Sequence, residues 1–143
     1  MTAVAASALR TGMNLRATAL TVRVPDSGDD VEALLLRPDN ARWLLVFAHG
    51  AGAGIHHSFM ESLARELAAC SVATLRYQFP YMQQRGGRPD APAVLTATVR
   101  AAVTAASEFA ADLPLLAGGK SLGGRMTSLA CAEDQSAFKV DTA

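Results

Sequence analysis

A serine between closely spaced glycines is the clearest chemical feature of the chain. Ser121 lies within residues 118–124, which read GGKSLGG and contain the pattern G-x-S-x-G. This pattern places a serine on a sharp turn between a strand and a helix, and Gly119 and Gly123 keep side chains out of the turn. The apolar run at 113–117 precedes it, and helix-forming residues follow. The sequence therefore predicts that Ser121 is a nucleophile, with a helix N-cap as its alternative role.

A second glycine-rich segment supplies what a nucleophilic serine needs. Residues 49–54 read HGAGAG and follow the apolar run 43–48. When a serine attacks a carbonyl, the oxyanion is held by the amide of the next residue and by one amide from the loop after an earlier strand. We expect these amides to belong to Leu122 and to either Ala51 or Gly52. The residues expected to support the two loops are His49, Gly50, Gly54, Gly119 and Gly123.

Two phosphate-binding motifs also use glycines at a strand-to-helix turn, and the sequence departs from both. The P-loop pattern G-x-x-x-x-G-K-[ST] would place its first glycine on Pro114. The dinucleotide fingerprint G-x-G-x-x-G, started at Gly50, would place its third glycine on Ile55. Cys70 and Cys131 have no metal-ligand spacing. We therefore expect neither a cofactor nor a metal.

The elements around these segments alternate between strands and helices. The predicted strands are residues 17–24, 31–36, 43–48, 72–77 and 113–117. The predicted helices are one that Ser58 caps and that runs to about residue 69, one at 93–110 and one at 126–132. The first two strands flank a turn cluster and predict an antiparallel hairpin at a sheet edge. The third is apolar throughout, so a parallel sheet covered on both faces is predicted to begin there. Ser58 and Glu61 predict a capping box, and residues 78–92 predict a long loop.

Several of these segments resemble one protein family. They are HGAGAG at 49–54, FME at 59–61, LA at 63–64, ATLRYQFPY at 73–81 and GGKSLGGRM at 118–126. Together they resemble the small α/β-hydrolases of the dienelactone-hydrolase-like type. Within that group they are most similar to the hydrolase-like domain of testis-expressed and non-specific-lethal complex proteins and their bacterial relatives. The resemblance implies an α/β-hydrolase fold, with a mostly parallel sheet and helices on both faces. It also implies a serine hydrolase acting on an ester, thioester or amide.

The chain departs from this family after its serine. The resemblance implies an acidic residue and then a histidine after the nucleophile, yet no histidine follows Ser121. We therefore expect a domain without its carboxyl-terminal strands and with impaired activity, through truncation, a frameshift or an internal deletion. The alternatives are a non-catalytic interaction module and a gene fragment. Of the three histidines, His49 is expected to be structural, and His56 and His57 to be solvated loop residues.

Other side chains near the two loops leave more than one role open. Arg76, at the end of a predicted strand, could bind a substrate anion or pair with Glu61. Asp90 and Asp112 precede Ser121 in the sequence and are not expected to be the triad acid. Four side chains could line a substrate pocket, although packing of the long loop is favoured for them: Tyr77, Phe79, Tyr81 and Met82.

Composition limits the remaining functions. The 143 residues carry no formal net charge and are 50% hydrophobic, which fits one domain with a real core and no nucleic-acid or anionic-membrane partner. A small-molecule carbonyl substrate is expected instead. Two cysteines and no apolar run of about 20 residues favour the cytoplasm.

Domain boundaries and self-association complete the expectations. The chain is divided into a flexible start at 1–15, the partial hydrolase domain at 16–134 and a tail at 135–143. The alanine-rich start could also be a transit peptide. The strand predicted at 113–117 is expected to leave an exposed sheet edge through which the chain self-associates.

Overall fold

The computed structural model describes residues 15–25, 30–84 and 87–133. In these ranges the strands are β1 (Thr18–Arg23), β2 (Asp30–Leu36), β3 (Trp43–Ala48), β4 (Val72–Tyr77) and β5 (Leu115–Gly119). The helices are α1 (Ser58–Ala69), α2 (Pro80–Gln83), α3 (Pro92–Phe109) and α4 (Leu122–Glu133). The expected tail at 135–143 lies outside the described residues, as does the expected flexible start except for residue 15.

The strands form one mixed sheet in the order β1-β2-β4-β3-β5. β1 and β2 form the antiparallel hairpin that was predicted at a sheet edge, and β2 also runs antiparallel to β4. β3 lies between β4 and β5 and is parallel to both. Ala48 pairs with Gly119, so the carboxyl ends of β3 and β5 lie side by side. The two glycine-rich segments therefore begin next to each other.

Helices cover both faces of the sheet. The main core packs β-strand side chains such as Val31 and Ala33 against α3 and α4. A smaller cluster packs Leu36 against Ala64 and Ala68 of α1. Odd and even residues of β2 thus enter different clusters, as the alternation of side chains along a strand requires. None of the helices in the described part of the chain is both long and apolar enough to cross a bilayer.

Helix α1 begins differently from the sequence prediction. Its N-cap is His57, whose Nδ1 accepts a hydrogen bond from the amide of Phe59 at 3.1 Å. Ser58 is already the first helical residue, and the side chain of Glu61 contacts Arg65 at 3.3 Å. The predicted capping box is therefore wrong, because the imidazole satisfies the helix amide that the serine was expected to satisfy.

Strand β5 and the long loop also differ from prediction. β5 begins at Leu115, two residues after the predicted start, because its register is set by the pairing of Leu115 with Leu44. Pro114 has no N–H for the ladder, and it contributes only its carbonyl, which accepts from the amide of Leu44 at 3.0 Å. The predicted loop contains the short helix α2, which starts at Pro80, a residue suited to the first helical position.

Strand β5 forms one edge of the described sheet. No strand among the described residues pairs with its outer side. Leu116 is 44% exposed at this edge, and Ala117 is exposed as well.

Candidate active site

Ser121 occupies a strained turn between β5 and α4. Just before the turn, the amide of Lys120 donates a hydrogen bond to the carbonyl of Ala48 at the end of β3, at 3.0 Å. Ser121 follows with φ at 53°, a value that residues with a side chain rarely adopt. Such a conformation costs about 1–3 kcal/mol and persists where the surrounding structure enforces it. The side chain of Ser121 is exposed, which a nucleophile requires.

Two glycines let this turn pack directly on backbone. A Cβ added to Gly119 would lie 2.6 Å from the carbonyl carbon of Gly123 and 2.7 Å from the oxygen of Ala48. A Cβ on Gly123 would lie 2.6 Å from the backbone oxygens of Ala48 and His49. Backbone atoms cannot rotate away as a side chain can, so glycine is required at both positions.

Three residues are expected to supply oxyanion-binding amides: Leu122 follows Ser121 in the chain, and Ala51 and Gly52 line a cavity together with Ser121. Leu122 begins α4, and the first amides of a helix have no acceptor within it. Ala51 and Gly52 are exposed residues of the loop after β3. Residues of this loop and Ser121 line the same cavity, which has a volume of about 340 Å³. Its lining is formed by Gly50, Ala51, Gly52, Ala53, His57, Phe59, Met60, Lys120 and Ser121.

His49 holds the start of this loop from within the core. It is fully buried, and its Nδ1 donates to the carbonyl of Gly50 at 2.6 Å while its Nε2 accepts from the amide of Phe79 at 3.0 Å. Donation by one nitrogen and acceptance by the other define the neutral imidazole. Burial lowers the pKa of His49 and favours the same form, against a smaller opposing effect of the bond to Gly50. Because both nitrogens are occupied, His49 has no lone pair to take a proton from Ser121.

The glycines of the loop after β3 differ in the space that they leave for a side chain. A Cβ on Gly52 would meet nothing within 4 Å, and one on Gly50 would make only ordinary contacts. A Cβ on Gly54 would lie 2.5 Å from the side-chain oxygen of Gln78 and 2.8 Å from Cγ of Met82. Those neighbours are side-chain atoms, so the restriction at Gly54 is weaker than the backbone restriction at the turn beside Ser121.

Tyr81 is a second support of the loop, and the sequence did not indicate it. Its hydroxyl donates to the carbonyl of Ala51 at 2.8 Å, and its amide donates to Oδ2 of Asp90 at 2.9 Å. The only available signal was general, since a buried tyrosine normally finds a partner for its hydroxyl. Burial is the main cause that raises the pKa of Tyr81, and the charge of Asp90 adds to it. The hydroxyl therefore remains a donor at neutral pH.

The other two histidines differ in their positions. His57 lines the cavity with Ser121, but its Nδ1 accepts the capping bond of α1, so its neutral form carries the proton on Nε2. His57 thus offers the cavity a donor. His56 contacts Glu32 at 3.1 Å and does not line this cavity. Among the described residues the cavity has no carboxylate lining, and Asp112 pairs instead with Arg37 at 2.7 Å.

Cationic side chains near the site have distinct environments. Lys120 lies 4.5 Å from the centre of the Phe59 ring, a cation–π contact that fixes the lysine beside Ser121. Arg76 does not line the cavity and donates to the carbonyl of Ile55 at 3.0 Å. Of the two roles left open for Arg76, its position therefore does not support binding of a substrate anion in the cavity at Ser121. In the described part of the chain, no group of three or more metal-ligating side chains is placed to hold an ion.

Comparison with known proteins identifies the family. Residues 41–141 match the alpha/beta hydrolase domain family, so the chain belongs to it. No curated protein sequence matches the chain. The dienelactone hydrolase from Anabaena variabilis is similar in structure, with a TM-score of 0.72 at 22% identity over 86% of this chain and 60% of its own. The predicted α/β-hydrolase fold is confirmed.

Two further solved structures share the fold. An α/β serine hydrolase homologue from Coxiella burnetii has a TM-score of 0.69 at 15% identity, over 82% of this chain and 58% of its own. An α/β serine hydrolase without a lid from Xanthomonas campestris has a TM-score of 0.69 at 18% identity, over 82% of this chain and 56% of its own. The chain thus spans about 60% or less of the length of these hydrolases.

Proposed function

We propose that this chain carries the nucleophile and the oxyanion-binding part of a serine hydrolase site for an ester, thioester or amide. One observation carries the proposal. Ser121 is exposed in a strained turn and faces, across a cavity of about 340 Å³, the loop of Ala51 and Gly52. Strain at an exposed serine is unnecessary for a helix cap, whereas a nucleophile requires it for access.

In the proposed reaction the Oγ of Ser121 adds to the carbonyl carbon of the substrate. The amides of Leu122 and of Ala51 or Gly52 hold the oxygen as it becomes negative. The bond to the leaving group then breaks, and the leaving group departs with a proton. Water hydrolyses the acyl-serine and restores the hydroxyl. The small volume of the cavity fits a small-molecule substrate.

We expect residues 1–143 alone to react slowly. His49 uses both ring nitrogens, His56 contacts Glu32, and His57 caps α1. We therefore expect none of the three histidines to take the proton of Ser121 efficiently. Hydrolases that lack their base keep roughly 10³–10⁴-fold catalysis over water through oxyanion binding and substrate binding. Turnover of an activated aryl ester near a typical ~10 s⁻¹ would contradict this expectation.

A fluorophosphonate probe, which phosphorylates reactive serines, tests the proposal directly. We expect slow labelling of the chain that is abolished in Ser121→Ala. Ser128→Ala is the matched control, because Ser128 is an exposed serine on α4 and does not line the cavity. Equal labelling of both variants would overturn the assignment of Ser121.

A non-catalytic interaction module is the second candidate. It is favoured by the lack of a carboxylate in the cavity lining among the described residues and by the exposed edge of β5. A folded chain that shows no labelling above Ser121→Ala would support this candidate. Sedimentation of that chain at micromolar concentration would then test self-association through β5.

A further inference from the structure

The loop after β3 also contributes a residue, His56, to a second cavity. Its volume is about 260 Å³, and it shares no lining residue with the cavity at Ser121. Side chains from the segment before β1, from β2, β4 and α1, and from the loop before α1 enclose it. They are Arg16, Ala17, Leu34, His56, Glu61, Arg65 and Arg76, and we refer to this site as the arginine cavity.

Arg76 is the deepest cation of the arginine cavity. Its residue is 3% exposed, and one terminal nitrogen donates to the carbonyl of Ile55 at 3.0 Å. Its Nε is buried and finds no acceptor within the described residues. Arginine stays protonated in proteins, so a full positive charge is held here with at least one donor unsatisfied. Buried donors of this kind are rare and point to a missing partner.

The charges of the lining do not balance. Three guanidinium groups, those of Arg16, Arg65 and Arg76, face the single carboxylate of Glu61. That carboxylate is already engaged, since its Oε1 lies 3.3 Å from Arg65. Arg16 forms no ion pair within the described ranges. Burial is the main cause that lowers the pKa of Arg76; Glu61 opposes this shift and Arg65 adds to it, so these charges act on one another across the cavity.

We propose that the arginine cavity binds the phosphate group of a small molecule. Planar guanidinium groups match the oxygens of phosphate and carboxylate groups. The excess of two positive charges among the lining side chains favours a dianion over a carboxylate, and a phosphate monoester is a dianion above a pH of about 6. The volume lies just below the ~300–1,000 Å³ of pockets that hold drug-sized ligands, so the remainder of the ligand is small.

The bound phosphate acts on the loop after β3, which contributes lining residues to both cavities. Arg76 holds the carbonyl of Ile55, and the amide of Ile55 donates to Oε1 of Gln78 at 3.1 Å. Ile55 directly follows the HGAGAG segment. A ligand that fixes Arg76 therefore stabilises the end of the loop that carries Ala51 and Gly52. This site does not depend on the proposed hydrolysis, because it shares no residue with that reaction.

Calorimetric titration of the full chain with inorganic phosphate at pH 8 tests the proposal. Sodium chloride and sodium acetate at equal ionic strength are run in parallel. We expect saturable binding of phosphate alone, together with a rise in the thermal midpoint that follows occupancy. Arg65→Gln and Arg16→Gln each remove one charged donor from an exposed residue and should weaken binding by about tenfold. Glu61→Gln should strengthen it, because the competing carboxylate is gone.

Controls separate this site from general anion effects. Arg42→Gln removes an exposed arginine that does not line the arginine cavity and should bind phosphate as the wild type does. Ser121→Ala should also bind normally, whatever its effect on labelling. The proposal is overturned if acetate or chloride matches phosphate, or if Arg42→Gln weakens binding as much as Arg65→Gln. Glycerol phosphate distinguishes a phosphate ester from free phosphate: it should bind at least as tightly as inorganic phosphate.

Discussion

The turn at Ser121 and the loop of Ala51 are held by different forces. At the turn, Gly119 and Gly123 pack on the backbone of Ala48 and its neighbours with no room for a methyl group. In the loop, Gly50 and Gly52 have space for a methyl group, and the backbone is held by hydrogen bonds from His49 and Tyr81. One side of the candidate site thus depends on close packing, and the other depends on side-chain tethers.

This difference determines how each side responds to change. Close backbone packing is an all-or-none requirement, because an added atom must displace a strand or a helix. A tether contributes about the strength of one hydrogen bond, and its loss leaves the remaining contacts in place. Substitutions at the turn should therefore affect folding, whereas substitutions at the tethers should affect loop position and reactivity.

The largest effect is expected from Gly123→Ala. Its methyl group would lie 2.6 Å from the oxygens of Ala48 and His49, so α4 must move away from β3. We expect a loss of about 3 kcal/mol of unfolding free energy or failure to fold, measured by urea denaturation. Gly52→Ala is the control and should change stability by less than about 1 kcal/mol, since nothing lies within 4 Å of the new methyl. Similar losses in both would remove the distinction between turn and loop.

The next effect is the dependence of stability on pH at His49. Burial lowers its pKa below the ordinary value of 6.5. Above 6.5 both the folded and the unfolded chain hold neutral imidazole, so the full stability is present. Below 6.5 the unfolded chain binds a proton that the folded chain does not, and stability falls by at most about 1.4 kcal/mol per pH unit until the folded pKa is reached.

His49→Gln isolates this contribution. We expect the variant to lose less stability than the wild type between pH 7 and pH 5, whatever its stability at pH 7. Urea denaturation at both values gives the comparison, since the carboxylates titrate alike in the two proteins. An identical pH dependence would mean that His49 is protonated in the folded chain, and its hydrogen bond from the amide of Phe79 would then be lost.

The two sides also differ in how far the sequence predicted them. The turn was predicted because glycine spacing and an apolar strand are local signals of a backbone requirement. The tether from Tyr81 to Ala51 was not, because it joins residues 30 positions apart through a helix, α2, that the sequence did not reveal. The start of β5 was misplaced for the same reason: its register depends on β3. A sequence thus predicts a local backbone conformation that requires glycine, but it does not predict which distant residues come into contact when the chain folds.

Tyr81→Phe tests a tether with a smaller effect. The ring stays in place and only the hydroxyl that donates to Ala51 is lost. We expect about 1 kcal/mol lower stability and a slower rate of fluorophosphonate labelling, because the loop amides are less well positioned. Tyr77→Phe is the control, because Tyr77 is also buried in the main core and its hydroxyl bonds to Thr127 of α4 instead of Ala51. The Tyr77→Phe variant should lose stability without a change in labelling rate, provided that labelling is measured without denaturant, where the variant is fully folded. Equal labelling of both variants would limit Tyr81 to packing.

The smallest effect, and the one that sharpens the comparison most, is expected from Ser121→Gly. Ser121 holds a φ of 53°, which glycine adopts readily, so the substitution relieves strain while raising the entropy of the unfolded chain. We expect a net gain of up to about 1 kcal/mol in unfolding free energy, together with complete loss of labelling. Ser121→Ala keeps the strain and should show no such gain. Ser71, at a φ of 65° and outside the site, provides the reference, since Ser71→Gly should gain a similar amount. Should Ser121→Gly instead be destabilised, the hydroxyl would be an internal structural partner, and the strain at this turn would no longer argue for a nucleophile.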